Sequence, residues 1–178
     1  MNFQENYLKS ARFEFNRYKT LGDKTFAQLS EDEIHWKYSE TDNSIALIVK
    51  HIVGNMLSRW TNFLTEDGEK SWRNRESEFE APYQTKKEMI TAWDKGWKCL
   101  FSALESINAA NFDTPIKIRG EVHTIPEAIN RQLAHYPNHV GQILFIGKMI
   151  KGEQWISPSI AKGDSETFNN TMFKSKHL

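Results

Sequence analysis

Gln132-Leu133-Ala134-His135-Tyr136-Pro137-Asn138-His139-Val140-Gly141-Gln142-Ile143 sets a proline between two histidines four residues apart. If a helix runs through it, the chain is built from four long helices. If the helix breaks there, the histidines flank a surface turn. The apolar positions Ile129, Leu133, Tyr136, Val140 and Leu144 keep a helical spacing across the proline, which favours the first reading. Upstream, Thr124-Ile125-Pro126-Glu127 has the capping-box form, with proline tolerated in the first turn, and the pattern runs on to about Lys151. A proline inside a helix removes one backbone hydrogen bond and costs roughly 3 kcal/mol unless the kink is useful. The expectation is a kink that tilts His135 toward a partner on another helix.

Working back along the chain, Phe3, Tyr7, Leu8, Ala11, Phe15, Tyr18 and Phe26 recur at helical intervals and predict a long amphipathic helix from Asn2 to Leu29, with Gly22 as the place for a bend. Ser30-Glu31-Asp32-Glu33 is a capping box that opens a short helical turn through Trp36. In the second long helix, Ile45, Ile48, Val49, Ile52, Val53 and Met56 trace one broad face, and His51 lies at its margin. From Thr65 to Gln84 the sequence turns charged and irregular and reads as a long ordered loop, with Trp72 and Phe79 expected to anchor it on the core. Thr85-Lys86-Lys87-Glu88 is another capping box, and a third helix follows to about Asn108. Alternation around Gly120 from Pro115 to Ile125 predicts a small β-hairpin before the fourth helix. The tail after Gly152 has little periodicity. Four long amphipathic helices and one small hairpin imply an all-α, four-helix-bundle fold, and residues 1–178 read as a single domain.

Lys plus Arg and Asp plus Glu both number 23, a formal net charge of +0, so no broad basic surface for nucleic acid or an acidic membrane is expected. Mean hydropathy is −0.63 and no apolar run reaches the length of a membrane span. One cysteine, Cys99, precludes an internal disulfide, and no charged-then-apolar leader opens the sequence, so a cytoplasmic location is expected.

His135 and His139 stand within about 40° of each other on a helix, one turn apart. The H-E-x-x-H arrangement of zinc proteases is absent. Both histidines lie at the margin of their apolar stripe, as His51 does on the second helix. Three imidazoles from two helices would make an N3 site for a divalent metal ion, with zinc, nickel or iron in view and open positions for water or substrate. Spacing alone leaves a surface pair as the competing reading, because i, i+4 histidines arise often by chance. His35, His123 and His177 are expected at the surface.

A histidine in Asn43-Ser44-Ile45-Ala46-Leu47-Ile48-Val49-Lys50-His51-Ile52, together with H-x-x-x-H in a helix after a hairpin, resembles the DinB-like superfamily of metal-binding four-helix bundles. The strings His51-Ile52-Val53-Gly54-Asn55, Arg59 to Lys70 and His139-Val140-Gly141-Gln142-Ile143 are similar to a bacterial branch of that superfamily whose function is not assigned, and Ser157 to Gly163 continues the likeness. The resemblance implies an up-down-down-up bundle, a homodimer, and His51, His135 and His139 as ligands of a divalent ion. It also implies a metal-dependent enzyme, a thiol transferase or hydrolase, acting on a small-molecule substrate with a low-molecular-weight thiol as co-substrate. The alternative is a non-catalytic metal-binding or dimeric interaction protein.

Among the remaining residues, Asn55 and Gln142 share the histidines' margins and either orient a ligand or sit at the surface. Cys99, among Trp97, Leu100 and Phe101, reads as an inert buried thiol. The tryptophans and phenylalanines are expected mostly in the core, with Trp72 and Trp155 as walls of a pocket. Lys70, Arg73 and Arg75, interspersed with glutamates, read as a solvated loop rather than an anion site.

Overall fold

Every predicted helix start carries its cap. Asn2, Ser44, Thr85 and Thr124 each accept a backbone N–H in the first turn, opening α1 (Phe3–Phe26), α2 (Ile45–Trp60), α4 (Lys86–Glu105) and α5 (Ile125–Lys151). Ser30 and Glu33 cap each other's backbone and open a single 3-10 turn, Glu33–His35. The computed structural model describes residues 2–80 and 82–174; His177 lies outside them. It is mostly helical, with one antiparallel hairpin of β1 (Ile116–Ile118) and β2 (Glu121–His123).

α2 packs on α4 and on α5, and α1 packs on α5 and α4. The core between them is aromatic: Phe15, Phe26, Trp93, Trp97 and Tyr136 are all almost fully buried. α1 continues through Gly22, and the reason for glycine there is packing. A Cβ at that position would stand 2.6 Å from Cζ2 of Trp93, whose indole N–H donates to Asp23.

The third helix stops at Glu105, three residues short of the expected Asn108, where Ser106 caps it. Two short α-helices escape sequence reading, as does the 3-10 turn Gly152–Gln154. α3 (Ser77–Glu80) is a single turn, too brief to show a period, and α6 (Ser165–Lys174) has no buried residue, so no core-facing stripe marks it. The aromatic residues are more divided than expected. Phe3, Phe13, Phe145, Phe168, Phe173 and Trp72 are exposed. Trp72 therefore does not anchor its loop and, unlike Trp155, which packs beside Gly147, lies open to solvent at 59% exposure.

What holds the 61–84 segment down is polar. Asp67 accepts the backbone N–H groups of Glu69, Arg119 and Gly120, and Gly68 N–H donates to Lys117 O, tying the loop to the hairpin. Lys50 Nζ donates to Ser77 O at 2.7 Å and draws α3 against α2. The hairpin turns on Arg119 (φ 56°) and Gly120 (φ 79°), both in the left-handed region that a two-residue turn of this kind requires. No described helix is long and apolar enough to cross a membrane.

Candidate metal centre

His51 faces α5 from α2, and His135 and His139 face α2 from α5. His51 is buried at 5% exposure, and the other two are half-buried. The three rings converge through one type of atom. His135 Nε2 lies 3.4 Å from His51 Nε2 and 3.1 Å from His139 Nε2. A ligand atom from each lies within 4.8 Å of the others, and among the described residues this cluster comprises these three side chains. α5 runs unbroken through Pro137, so the proline does not separate its two histidines.

The opposite nitrogens explain the convergence. Nδ1 of His51 lies 2.9 Å from Oε2 of Glu78, Nδ1 of His135 lies 3.1 Å from Oε1 of Gln132, and Nδ1 of His139 lies 3.0 Å from Oε1 of Gln142. Each of these oxygens accepts, so each Nδ1 carries the proton, and a neutral imidazole then presents a bare lone pair at Nε2. Three lone pairs aimed at one point repel one another unless a cation lies between them. Nitrogens about 2.0–2.1 Å from a tetrahedral zinc ion stand about 3.3 Å apart, which is close to the spacing found.

Glu78 is itself secured. Arg73 grips it through two bonds, Nε to Oε1 at 2.8 Å and Nη2 to Oε2 at 3.1 Å, with both side chains buried. Gly54, one turn beyond His51, admits the carboxylate: a Cβ there would overlap Glu78. Phe79, next to Glu78, stacks on the His51 ring at 4.9 Å, so this expected anchor docks on the site itself. Under the site, Trp60 Nε1 donates to Tyr136 Oη, which donates to Asn55 Oδ1 at 2.9 Å. Asn55 thus serves Tyr136 and not a histidine, whereas Gln142 orients His139.

Burial holds the His135 pKa down to about 4 from 6.5, and positive charge on His139, His51, Arg73 and Arg131 adds to the effect. His139 is lowered for the same first reason, against the opposing hydrogen bond to Gln142. Because the folded value of His135 is depressed, the unfolded chain takes up the proton first as pH falls. Metal-stripped protein is therefore expected to lose stability as pH drops from 6.5 toward about 4. Urea midpoints across that range should fall more steeply for the wild type than for His135→Gln; equal slopes would show that His135 is not held neutral by the fold.

Several expectations about other residues change. His35 and His123 are half-buried rather than exposed. Cys99 is half-buried near Thr61 Oγ1, and it takes no part in the cluster. The solvated-loop reading of Lys70, Arg73 and Arg75 holds for Arg75 alone: Lys70 is 8% exposed, and the Arg73 side chain is 3% exposed. Both are drawn under the loop by its own acids, Lys70 to Glu66 and Arg73 to Glu78 and Glu69. The residues that sequence reasoning missed are Gln132 and Glu78. Gln132 stands three positions before His135 as Gln142 stands three after His139, a spacing that could have revealed it. Glu78 comes from α3, a single turn within a stretch with no period, and gave no such signal.

A family model described as a protein of unknown function, DUF1572, matches residues 2–164. The chain belongs to that family. No curated protein and no solved structure matches it. The DUF1572 match spans all three histidines, Glu78, Gln132 and Gln142.

Proposed function

We propose that this DUF1572 chain is a divalent-metal-dependent enzyme of the DinB-like class. In this reading residues 1–178 form one domain, the four long helices make an up-down-down-up bundle, and His51, His135 and His139 hold the ion. The observation that carries it is that all three Nδ1 atoms are engaged by Glu78, Gln132 and Gln142, so that three Nε2 lone pairs meet. Imidazole donors suit zinc or nickel first and iron next. Three ligands, with no fourth among the described residues, leave a position for water or substrate, which favours catalysis over a closed structural site.

A divalent ion held this way lowers the pKa of a bound water or thiol and supplies a nucleophile at neutral pH. The chain's own part is orientation. Glu78 fixes the tautomer of His51 and raises its basicity, and Arg73 keeps Glu78 ionised and in place. The two glutamines do the same for His135 and His139 without adding charge, so the ion keeps its full Lewis acidity. A cavity of about 410 Å³, lined in part by His51, His135 and Gln132, gives a small molecule access to the cluster.

A low-molecular-weight thiol is the proposed co-substrate and the cytoplasm the proposed location, both on the strength of the resemblance to DinB-like proteins. Homodimerisation belongs to the same reading, and exposed Phe145 and Met149 on α5 supply apolar surface for it. Elemental analysis of tag-free protein tests the first step; less than a stoichiometric trace of any divalent metal after zinc or nickel supplementation would end the proposal. If metal is bound, assays for thiol transfer with small bacterial thiols separate enzyme from interaction protein. Pro137→Ala tests the expected kink: metal affinity should fall while the fold gains stability, and unchanged affinity would leave the proline without a role at the site.

A further inference from the structure

The cavity beside His51 and His135 is lined by five arginines, Arg59, Arg73, Arg75, Arg119 and Arg131, and by no acidic side chain among the described residues. They reach it from the end of α2, from the following loop, from the hairpin turn and from α5. With a formal net charge of +0 for the whole chain, this concentration is local rather than a property of the surface.

The arginines are not equally committed. Arg73 is paired with Glu78 and lies 3.7 Å from Glu69. Arg119 shares Glu69, with Nε at 3.1 Å. Arg75 is half-exposed, 3.9 Å from Glu76. Arg59 differs from all of these. It is 4% exposed, and its Nε and Nη1 are buried with no hydrogen-bond partner among the described residues.

Asp67, a carboxylate that acts on Arg59 through space, already uses its oxygens on the backbone N–H groups of Glu69, Arg119 and Gly120. Arg131 is exposed and lines the same cavity. Burial draws the Arg59 pKa below the ordinary guanidinium value, and the like charges of Arg131 and Arg73 push the same way. Gly68 leaves room for this side chain, since a Cβ there would stand 2.8 Å from Arg59 Nη1.

A buried guanidinium without a partner is unfavourable, and its planar fork of donors matches the paired oxygens of a carboxylate or phosphate. We infer that the cavity is an anion subsite, in which Arg59 and Arg131 take a carboxylate or phosphate group of a small molecule while its other end lies against the histidines. A volume of about 410 Å³ suits a metabolite-sized ligand and not a polyanion. As a statement about the substrate of the metal centre this rests on the function proposed above; as a statement about anion binding it rests on the arginines alone.

Calorimetric titration of the full chain with inorganic phosphate and, separately, with succinate tests it, on protein as purified and after metal removal. Both forms of the wild type should bind at least one of the two anions, and the tighter one names the anionic group. Arg59→Met and Arg131→Gln should each weaken that binding, by about ten- to a hundredfold for the buried residue. Arg131 is exposed, so its variant keeps the test decisive if Arg59→Met fails to fold. No binding of either anion to wild type, or equal binding by wild type and variants, overturns the inference. Zinc titrations on the same samples keep the two readings apart. Zinc uptake without anion binding sinks the anion subsite alone, and anion binding without zinc uptake sinks the metal reading and leaves the subsite standing.

Discussion

His51→Ala is expected to strip the protein of metal that wild type retains through purification. His51 is the sole contribution of α2 to the cluster, and without it His135 and His139 present two nitrogens from one helix. Structural zinc sites with four ligands are worth about 10–16 kcal/mol, so one ligand is worth about 2.5–4 kcal/mol, or a loss in affinity of about two to three orders of magnitude. Competition against a chromophoric chelator measures this directly. Thermal unfolding gives a second readout. Zinc at about a hundred times the wild-type Kd should stabilise wild type by about 2.7 kcal/mol and the variant by less than about 0.5 kcal/mol. His35→Ala and His123→Ala serve as controls, since neither side chain belongs to the cluster, and both should bind metal as wild type does. Equal zinc affinity in His51→Ala and wild type would remove His51 from the centre.

Gly54→Ala should do nearly as much damage with a single methyl group on a residue that touches no ligand position. A Cβ at residue 54 overlaps the carboxylate of Glu78, which is buried, bonded to His51 and gripped by Arg73. That carboxylate has nowhere to retreat, because Arg73 holds it at two points. Overpacking alone costs about 1–3 kcal/mol, and separating a buried ion pair costs about 3–5 kcal/mol, so the fold should be destabilised by several kcal/mol. Metal affinity should fall by about ten- to a hundredfold as well, because His51 loses the acceptor that sets its tautomer. Glu78→Gln offers the comparison: it keeps the shape and an acceptor for Nδ1 but leaves Arg73 with only the more distant carboxylate of Glu69, 3.7 Å away. A Gly54→Ala protein with wild-type stability and zinc affinity would show that Glu78 has no part in holding His51.

The helices were readable because their signals are local. Capping boxes at Ser30, Thr85 and Thr124 and stripes such as Ile45 to Met56 act within one or two turns, so sequence distance and spatial distance coincide. α6 and α3 were missed for the complementary reason: one buries nothing and the other is one turn long. His135 and His139 were legible as a pair, again through a local spacing, and Gln142 lay within the same turn. Trp72 misled because its residue type argues for burial, whereas its neighbours Glu69, Lys70 and Arg73 had already claimed the sheltered ground beneath the loop.

The sequence by itself determined a mostly helical chain with a hairpin, the starts of its long helices, and three candidate histidines on two of them. Only the tertiary structure decided that those histidines meet through Nε2, that Glu78 crosses from a distant loop to hold His51, and that five arginines wall the adjoining cavity. The physical reason is range. Helix formation depends on contacts three or four residues apart, but Glu78 reaches His51 across 27 positions and Arg119 meets Glu69 across 50, and such pairings are set by how the helices and the loop pack. Gly54 shows the difference most simply. In the sequence it is a weak point in a helix, and in the fold it is the space that Glu78 occupies.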